Sequence, residues 1–329
     1  MISVRLMVGA ALTALGLLAA PATAQGAPLP VDYNFLSGIP AELTNPGGSL
    51  PGSNDWNCKP SAAHPNPVIL VHGTGGSQQT NWGAYAPLLA NEGYCVFAPT
   101  FGNLTNLPWP VTAIGGLASI DKSAADLAVY VDRVLAATGA SKVDIVGHSQ
   151  GTLMPTYYLK HLGGAGKVDK YVSLAPLWNG TNAGEGAAIS AFTRRLGITV
   201  FDQLLTPLCG ACLQMVTGSP FITELQAGGM AVPGVTYTNI MTRYDELVVP
   251  YTSGILNAPN STNIVVQDGC AQDYSEHAGI AGSRRAATFV LNALDPAHPG
   301  RCRANSRRRS RASSSRCAVM WWRRVPRPV

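Results

Sequence analysis

Short, almost wholly apolar runs alternate with longer amphipathic segments through the middle of this 329-residue chain. Short apolar runs are typical of strands covered on both faces, and apolar residues three and four positions apart are typical of helices. The predicted strands are 67–72, 94–99, 142–146, 171–174, 235–241 and 262–266. The predicted helices are 82–92, 118–138, 151–161 and 279–294. This alternation predicts an α/β fold with a mostly parallel central sheet and helices on both faces.

One stretch, about residues 177–234, interrupts the alternation and is too long for a simple connection. It carries many apolar and few charged residues. It is therefore either a set of additional core helices or a lid whose apolar underside covers a binding cleft. We favour a lid, because functional insertions in such sheets follow the carboxyl ends of strands, where the cleft also lies.

The first 24 residues have the pattern of a secretory signal peptide. Arg5 precedes an apolar run from Leu6 to Ala20, and the small residues Ala22-Thr23-Ala24 follow at the usual cleavage spacing. A membrane anchor is the alternative, but the run is short for a spanning helix and is interrupted by glycine and threonine. We therefore expect export to the extracellular space without an integral membrane anchor.

Composition divides the rest of the chain into three parts. Residues 25–66 are rich in Pro, Gly, Asn and Ser and predict an irregular lead-in, whereas residues 67–300 hold the regular alternation. Residues 301–329 carry ten arginines and no acidic residue, so we expect a disordered tail, which is either a basic surface anchor or the product of a shifted reading frame. Without it the net charge of +5 becomes −5, which gives no reason to propose a nucleic-acid partner.

Seven cysteines fit an exported, oxidised protein. The C-x-x-C pair lacks both the βαβ setting of a thioredoxin-like motif and the second pair of a zinc site, so a local disulfide is the better interpretation. The pairs that the positions suggest are Cys58–Cys95, Cys209–Cys212 and Cys270–Cys302. Cys317 is left over, and the sequence alone does not fix the pairing.

A strand-like run ends in a serine between two glycines in VDIVGHSQGTL, residues 143–153. Gly147 and Gly151 permit a sharp strand-to-helix turn that raises the hydroxyl of Ser149 above the sheet edge, as in the G-x-S-x-G motif. An ordinary turn is the alternative, since the five-residue pattern also occurs by chance. A serine hydroxyl is a poor nucleophile until a base takes its proton. Whether Ser149 is a nucleophile therefore depends on whether the rest of the chain supplies a base and an acid.

Histidine is the expected base, because its ordinary pKa of about 6.5 lets it accept and return a proton near neutrality. His277, in DYSEHAGI, follows the last predicted strand and precedes the last predicted helix. This position satisfies the chain order of nucleophile, acid and histidine that the fold requires. A surface-loop histidine is the alternative. The remaining histidines are His64, His72, His148, His161 and His298.

The acid must lie between the serine and the histidine and follow a strand, so that it can orient the imidazole. Asp245 comes directly after the predicted strand 235–241. Glu246 is the main rival, and Asp268 and Asp273 are weaker ones. Asp245 could also be a turn residue, a role that aspartate often fills.

An oxyanion needs preorganised N–H donors. One candidate is the backbone amide of Gln150, directly after the nucleophile, and the other is the amide of Thr74 in HGTGG, which follows the first strong strand. A phosphate-binding glycine turn is the alternative for HGTGG. The segment lacks both the Lys-Ser/Thr ending of a P-loop and the G-x-G-x-x-G spacing, so we prefer the oxyanion role.

Four separated segments in this order, VILVHGTGGS, DIVGHSQGTL, TRYDELVVPY and SEHAGI, resemble the secreted bacterial lipases of the class 2 type, within the α/β-hydrolases. The resemblance spans about residues 55–300. It implies an α/β-hydrolase fold and hydrolysis of carboxylic esters, above all acylglycerols, through an acyl-enzyme. It also implies triad roles for Ser149, Asp245 and His277, with the amides of Thr74 and Gln150 as oxyanion donors. The family's C-terminal cysteine corresponds to Cys302, and the arginine-rich extension departs from the pattern.

The sequence therefore predicts a secreted serine ester hydrolase of the triacylglycerol lipase type, acting on lipid esters and able to work at an oil–water interface. The apolar insertion suits burial of a long acyl chain, at about 0.8 kcal/mol per CH₂. A short-chain carboxylesterase is the nearest alternative, and an inactive secreted binding protein on the same fold is a second. The mechanism needs no cofactor, and no loop has a recognisable calcium-ligand spacing. The sequence leaves the oligomeric state open.

Overall fold

The computed structural model describes residues 27–183 and 209–300. The strands are β1 (Val68–Val71), β2 (Val96–Phe97), β3 (Val143–His148), β4 (Val168–Leu174), β5 (Thr236–Met241) and β6 (Ser261–Val265). The helices are α1 (Ile39–Thr44), α2 (Tyr85–Asn91), α3 (Ile120–Thr138), α4 (Met154–His161), α5 (Gly210–Gln214), α6 (Pro220–Gln226) and α7 (Arg284–Leu294). Every predicted strand and helix is present, with its ends shifted by five residues or fewer.

The strands of the described residues form one parallel sheet in the order β2-β1-β3-β4-β5-β6. Their carboxyl ends therefore lie along one edge. The chain first runs outward from β1 to β2 and then continues on the other side of β1 with β3, so its direction reverses between β1 and β3. Ligands of open α/β sheets bind at such a reversal, beyond the carboxyl ends of the strands.

Helices cover both faces of the sheet, which confirms the predicted α/β architecture. Helices α3, α4, α5 and α6 contribute to the apolar core on one face, and α2 and α7 contribute to the core on the other. The four residues of β1 are fully buried, as expected for a strand with helices on both sides. The core thus fixes the neighbouring strands β1 and β3 between two helical layers.

The predicted insertion is described only in part, because residues 184–208 lie outside the described residues. Its described helices α5 and α6 place Ala211, Phe221, Ile222 and Leu225 in the core beside α3 and α4. This packing is what additional core helices would show. The lid therefore stays a prediction, as do the signal peptide of residues 1–24 and the tail of residues 301–329, which are also outside the described residues.

The lead-in is less irregular than predicted. Residues 35–38 form a 3₁₀ turn that leads into α1. Pro40 lies in the first turn of α1, where its missing N–H is not needed, and Glu42 is buried. The carboxylate of Glu42 accepts hydrogen bonds from Gly47 N–H (3.0 Å), Gln79 Nε2 (2.9 Å) and Trp109 Nε1 (3.3 Å), so tertiary contacts fix this segment to the sheet domain.

The disulfides Cys58–Cys95 and Cys209–Cys212 are both formed, as predicted. Cys270 is also disulfide-bonded. Its suggested partner Cys302, and Cys317, lie outside the described residues. In the part of the chain that the structure describes, no helix is long and apolar enough to cross a membrane.

Candidate active site

Ser149 lies directly after β3, on a sharp turn at the reversal between β1 and β3. Its φ of 54° is in the left-handed region, which a non-glycine residue rarely adopts. The two flanking glycines are sterically required. A Cβ at Gly147 would lie 2.2 Å from the carbonyl oxygen of Gly151, and a Cβ at Gly151 would lie 2.1 Å from that of Val71. The G-x-S-x-G segment thus forms a strained strand-to-helix turn.

A chain of hydrogen bonds links Ser149, His277 and Asp245. The Nε2 atom of His277 lies 2.9 Å from Ser149 Oγ, and its Nδ1 lies 2.8 and 3.0 Å from the two carboxylate oxygens of Asp245. The side chains of His277 and Asp245 are almost completely buried. Asp245 can only accept, so Nδ1 carries the ring proton and Nε2 is free to accept the serine proton.

The loops after β5 and β6 bring the acid and the histidine together. Tyr244 and Glu276, one residue before each of them, form an isolated parallel bridge. Asp245 Oδ1 also accepts the backbone N–H groups of Leu247 (3.1 Å) and Val248 (2.7 Å). These bonds fix the direction of the carboxylate, because two amides of its own turn hold one oxygen.

The rival acids have other partners. Glu246 accepts the backbone N–H of His277 with Oε2 at 3.2 Å, so it contacts the main chain of the histidine and not its ring. Asp268 pairs with Arg243 at the surface. Asp273 is buried and accepts Ser275 N–H at 2.9 Å and Ser283 Oγ at 3.3 Å.

The loop after β1 lies against the serine turn. A Cβ at Gly73 would be only 3.1 Å from Ser149 Cβ. The Thr74 hydroxyl donates to Gln150 Oε1 at 2.7 Å, which connects the two predicted oxyanion residues. Among the loop and turn hydrogen bonds of the described residues, none uses the backbone N–H of Thr74 or Gln150. Both amides can therefore donate to a ligand atom.

His72 fixes the base of this loop. Burial lowers its pKa to about 4, so the ring is neutral at neutral pH. Its Nδ1–H donates to the carbonyl of Gly73 at 2.8 Å, and Nε2 accepts Phe101 N–H at 3.1 Å. This neutral tautomer satisfies both ring nitrogens, as expected for a residue that supports the neighbouring loop.

A cavity of about 380 Å³ opens against the loop that carries Thr74. One wall comes from the lead-in, through Phe35 and Ile39, and another from Ala113 and Ile114. The remaining lining residues are Thr74, Gly75, Gly76 and Thr80. Sequence reasoning missed the lead-in wall, because an irregular, Pro- and Gly-rich segment carries no periodic signal. It also missed Asn81, a buried residue that bonds Gly73 N–H at 3.1 Å and for which no motif exists.

No group of three or more His, Cys, Asp or Glu side chains within residues 27–183 and 209–300 is arranged to hold a metal ion.

Residues 65–285 match the family model described as Lipase (class 2). Two curated relatives are triacylglycerol lipases of Pseudarthrobacter phenanthrenivorans and Burkholderia plantarii, each 34% identical over 101 residues. The matched part is 29% of this chain and 28% and 25% of the respective relatives. The chain thus spans about a quarter of the length of the curated relatives that it matches.

Two solved structures share the fold. Aspergillus fumigatus lipase B has a TM-score of 0.54 and 21% identity, covering 77% of this chain and 56% of its own. The propeptide form of the Bacillus licheniformis lipase BlEst2 has a TM-score of 0.50 and 16% identity, covering 75% of this chain and 53% of its own. At these identities the likeness concerns the fold alone.

Proposed function

The chain belongs to the class 2 lipase family, and from this premise we propose that it hydrolyses carboxylic esters with Ser149, His277 and Asp245 as catalytic residues. The observation that carries the proposal is the unbroken hydrogen-bond chain from the Asp245 carboxylate through His277 to the Ser149 hydroxyl. A nucleophile, a base and a group that orients the base are what acyl transfer requires.

In the acylation step, Ser149 Oγ attacks the ester carbonyl carbon while His277 Nε2 accepts the hydroxyl proton. Asp245 keeps the other ring proton on Nδ1 and stabilises the imidazolium that forms. His277 then donates its new proton to the oxygen of the leaving alcohol. The bond from the carbonyl carbon to that oxygen breaks, and an ester on Ser149 remains.

The amides of Thr74 and Gln150 stabilise the negative charge on the carbonyl oxygen in each tetrahedral intermediate. A single donor of this kind contributes about 10²–10³ in kcat. In the deacylation step His277 takes a proton from water, the hydroxide attacks the acyl carbon, and the proton returns to Ser149 Oγ. This sequence of steps releases the carboxylic acid and needs no metal or cofactor.

Lipid esters are the substrate class that the surroundings of Ser149 favour. Ile39 and Ile114 line the cavity beside Thr74, and both are exposed. Leu247 and Val249, just after Asp245, are exposed as well. These apolar side chains, beside Thr74 and directly after Asp245, would contact the hydrocarbon of such an ester. The two curated relatives are named triacylglycerol lipases, which agrees with this choice.

We place the enzyme outside the cell. The secretory pattern of residues 1–24 and the two formed disulfides, Cys58–Cys95 and Cys209–Cys212, support export to an oxidising compartment. N-terminal sequencing of protein recovered from the culture medium tests this part. Protein that stays with the cells and retains residues 1–24 would contradict it.

A fluorophosphonate probe tests the nucleophile. We expect stoichiometric labelling of Ser149 in the folded protein and a loss of about 10⁵-fold or more in kcat for Ser149→Ala, because no other group replaces the hydroxyl. Ser141→Ala, an exposed serine of the turn before β3, is the matched control and should keep full activity. Folded protein whose Ser149 stays unlabelled would instead favour an inactive binding protein.

p-Nitrophenyl esters of graded chain length test the substrate class. Each additional CH₂ that contacts apolar surface should raise kcat/KM by up to about fourfold, from about 0.8 kcal/mol of transfer free energy. The profile is measured with and without an oil–water interface. A steep fall beyond butyrate would reject lipid esters in favour of short-chain esters, while hydrolysis as such would stand.

A further inference from the structure

The buried ring of His148, at the end of β3, contacts the main chain of His277 through one nitrogen and the side chain of Asn81 through the other. It is 3% exposed, and its sequence neighbour is Ser149. The Nε2 atom lies 2.9 Å from the main-chain oxygen of His277, and Nδ1 lies 3.0 Å from Asn81 Oδ1. The rings of His148 and His277 are 5.1 Å apart.

Asn81 extends this contact to the loop that carries Thr74. The same Oδ1 atom accepts the backbone N–H of Gly73 at 3.1 Å, and Asn81 is itself buried. Gly73 directly precedes Thr74. The imidazole of His148 therefore lies between the backbone of the proposed base and the backbone of the proposed oxyanion loop.

The ring of His148 has one proton for two acceptors. Burial and, to a lesser degree, the charge of the nearby His277 together lower its pKa to about 3, so the ring is neutral at neutral pH. A neutral imidazole has a single N–H, whereas the His277 carbonyl and Asn81 Oδ1 both only accept. Only one of the two contacts can therefore be a hydrogen bond at a time.

Of the two acceptors, the His277 carbonyl is the one that lacks another hydrogen-bond donor. Among the hydrogen bonds of the described residues, His148 Nε2 is its only donor, whereas Asn81 Oδ1 already accepts Gly73 N–H. A buried carbonyl without a donor loses free energy comparable to that of a hydrogen bond. The Nε2–H tautomer satisfies it.

We propose that His148 is a positioning residue whose Nε2–H holds the main chain of His277, so that the His277 ring stays within reach of Ser149 Oγ. The inference rests on the proposed catalytic roles of Ser149 and His277. The side chain of His277 is fixed by Asp245, its N–H by Glu246, and its carbonyl by His148. Loss of the last contact lets the peptide rotate and moves the ring, and a displacement of about 1 Å can cost 10²-fold in rate.

Two amide substitutions separate the two contacts. The terminal amide nitrogen of glutamine reaches the position of Nε2, and that of asparagine reaches the position of Nδ1. We expect His148→Gln to keep kcat for p-nitrophenyl acetate within about threefold of the unmodified protein, and His148→Asn to lose about tenfold to 10²-fold, with KM nearly unchanged in both. The downfield proton resonance of His277 Nδ1–H should persist in His148→Gln and broaden in His148→Asn.

The comparison of the two variants decides the inference. Equal activity in both, whether high or low, or a more active His148→Asn, would overturn it. A role in stability alone would lower the melting temperature without separating kcat in the two variants, so thermal unfolding is measured beside the kinetics. Failure of the proposed function is distinguished by the unmodified protein, since an unlabelled Ser149 in that protein refutes the catalytic roles whatever the His148 variants do.

Discussion

Ser149 combines the side chain of the proposed nucleophile with a strained backbone. Its φ of 54° costs an L-residue about 1–2 kcal/mol, and glycine adopts it without that cost. The fold tolerates this strain because the turn is held by the close approach of Gly151 to β1. The residue that raises the hydroxyl above the sheet should therefore also lower the stability of the molecule.

Replacement of the serine by glycine measures this strain. We expect the free energy of unfolding of Ser149→Gly to exceed that of Ser149→Ala by about 1 kcal/mol, because both variants lose the hydroxyl and only alanine keeps a Cβ at positive φ. Urea unfolding provides the values. Ala125→Gly, on the exposed face of α3, is the control. There glycine replaces alanine in a regular helix, and the free energy of unfolding should fall by about 1 kcal/mol. Equal stability of the two Ser149 variants would remove the strain argument.

Asp245 and Glu246 have neighbouring positions but different contacts with His277. Asp245→Asn presents a neutral amide to Nδ1 and removes the preference for the productive tautomer, so we expect kcat to fall by about 10⁴-fold with the fold intact. Glu246→Gln keeps an oxygen for the His277 N–H and should lose less than about tenfold. Steady-state kinetics on p-nitrophenyl acetate gives both values. A larger loss in Glu246→Gln would transfer the role of the acid to Glu246.

At the scale of elements, the turn between β3 and α4 is fixed by its contact with β1. Gly151→Ala would place a Cβ 2.1 Å from the carbonyl oxygen of Val71, and backbone must move to admit it. We expect a loss of at least about 3 kcal/mol in the free energy of unfolding. Gly166→Ala, at an exposed position with no atom within 4 Å of the new Cβ, should change it by about 1 kcal/mol or less. Similar values for the two variants would refute the close approach.

The hydrophobic pattern of the chain predicts the strands of the sheet, because burial on both faces imposes a regular pattern of apolar residues. A strand such as β1, covered on both faces, has to be apolar at every position, and that pattern is visible in VILV. Helix α1 gives no such pattern. It is six residues long and is fixed by Glu42 and its donors from distant segments, which no local period encodes. For the same reason the wall formed by Phe35 and Ile39 was not predicted.

The proposed triad was accessible from sequence because chain order and strand ends restrict it. Each member follows a parallel strand, and parallel strands end at one edge, so three distant motifs can be expected to meet there. The contacts of His148 and Asn81 were not accessible. No motif assigns a role to His148, because the position before the serine in G-x-S-x-G is variable. The structure directs it to the His277 main chain, a contact that depends on two loop conformations.

At the scale of the whole molecule, titratable groups are buried at both edges of the sheet. Near the amino end of β3, Asp144 is 2% exposed and accepts Asn66 Nδ2 at 3.1 Å and Lys170 N–H at 3.0 Å. Burial raises the pKa of Asp144 to about 6, and the charge of Lys170 only partly opposes this. At the carboxyl edge, burial lowers the pKa values of His72 and His148.

The buried histidines and Asp144 change the free energy of unfolding in opposite directions as the pH falls. The neutral histidines cost stability as the pH falls below their unfolded pKa of about 6.5, because the unfolded chain then binds protons that the folded state does not. Asp144 acts in the other direction. Its folded pKa is above its unfolded value of about 3.9, so its contribution is fully present below pH 4 and is lost as the pH rises through about 6. The pH dependence of the free energy of unfolding is the sum of both contributions. Only the difference between the unmodified protein and a variant of Asp144 isolates the contribution of Asp144.

Asp144→Asn removes this titration. From pH 4 to pH 7 the free energy of unfolding of the unmodified protein should fall relative to that of the variant by about 2 kcal/mol, which is most of the full effect of a two-unit pKa shift. Urea unfolding at several pH values gives this difference. Asp169→Asn is the matched control, because it removes another carboxylate beside Lys170 from a much more exposed position. A difference between unmodified protein and Asp144→Asn that stays constant with pH would contradict the buried titration, and kcat should be unchanged because Asp144 lies at the edge opposite Ser149.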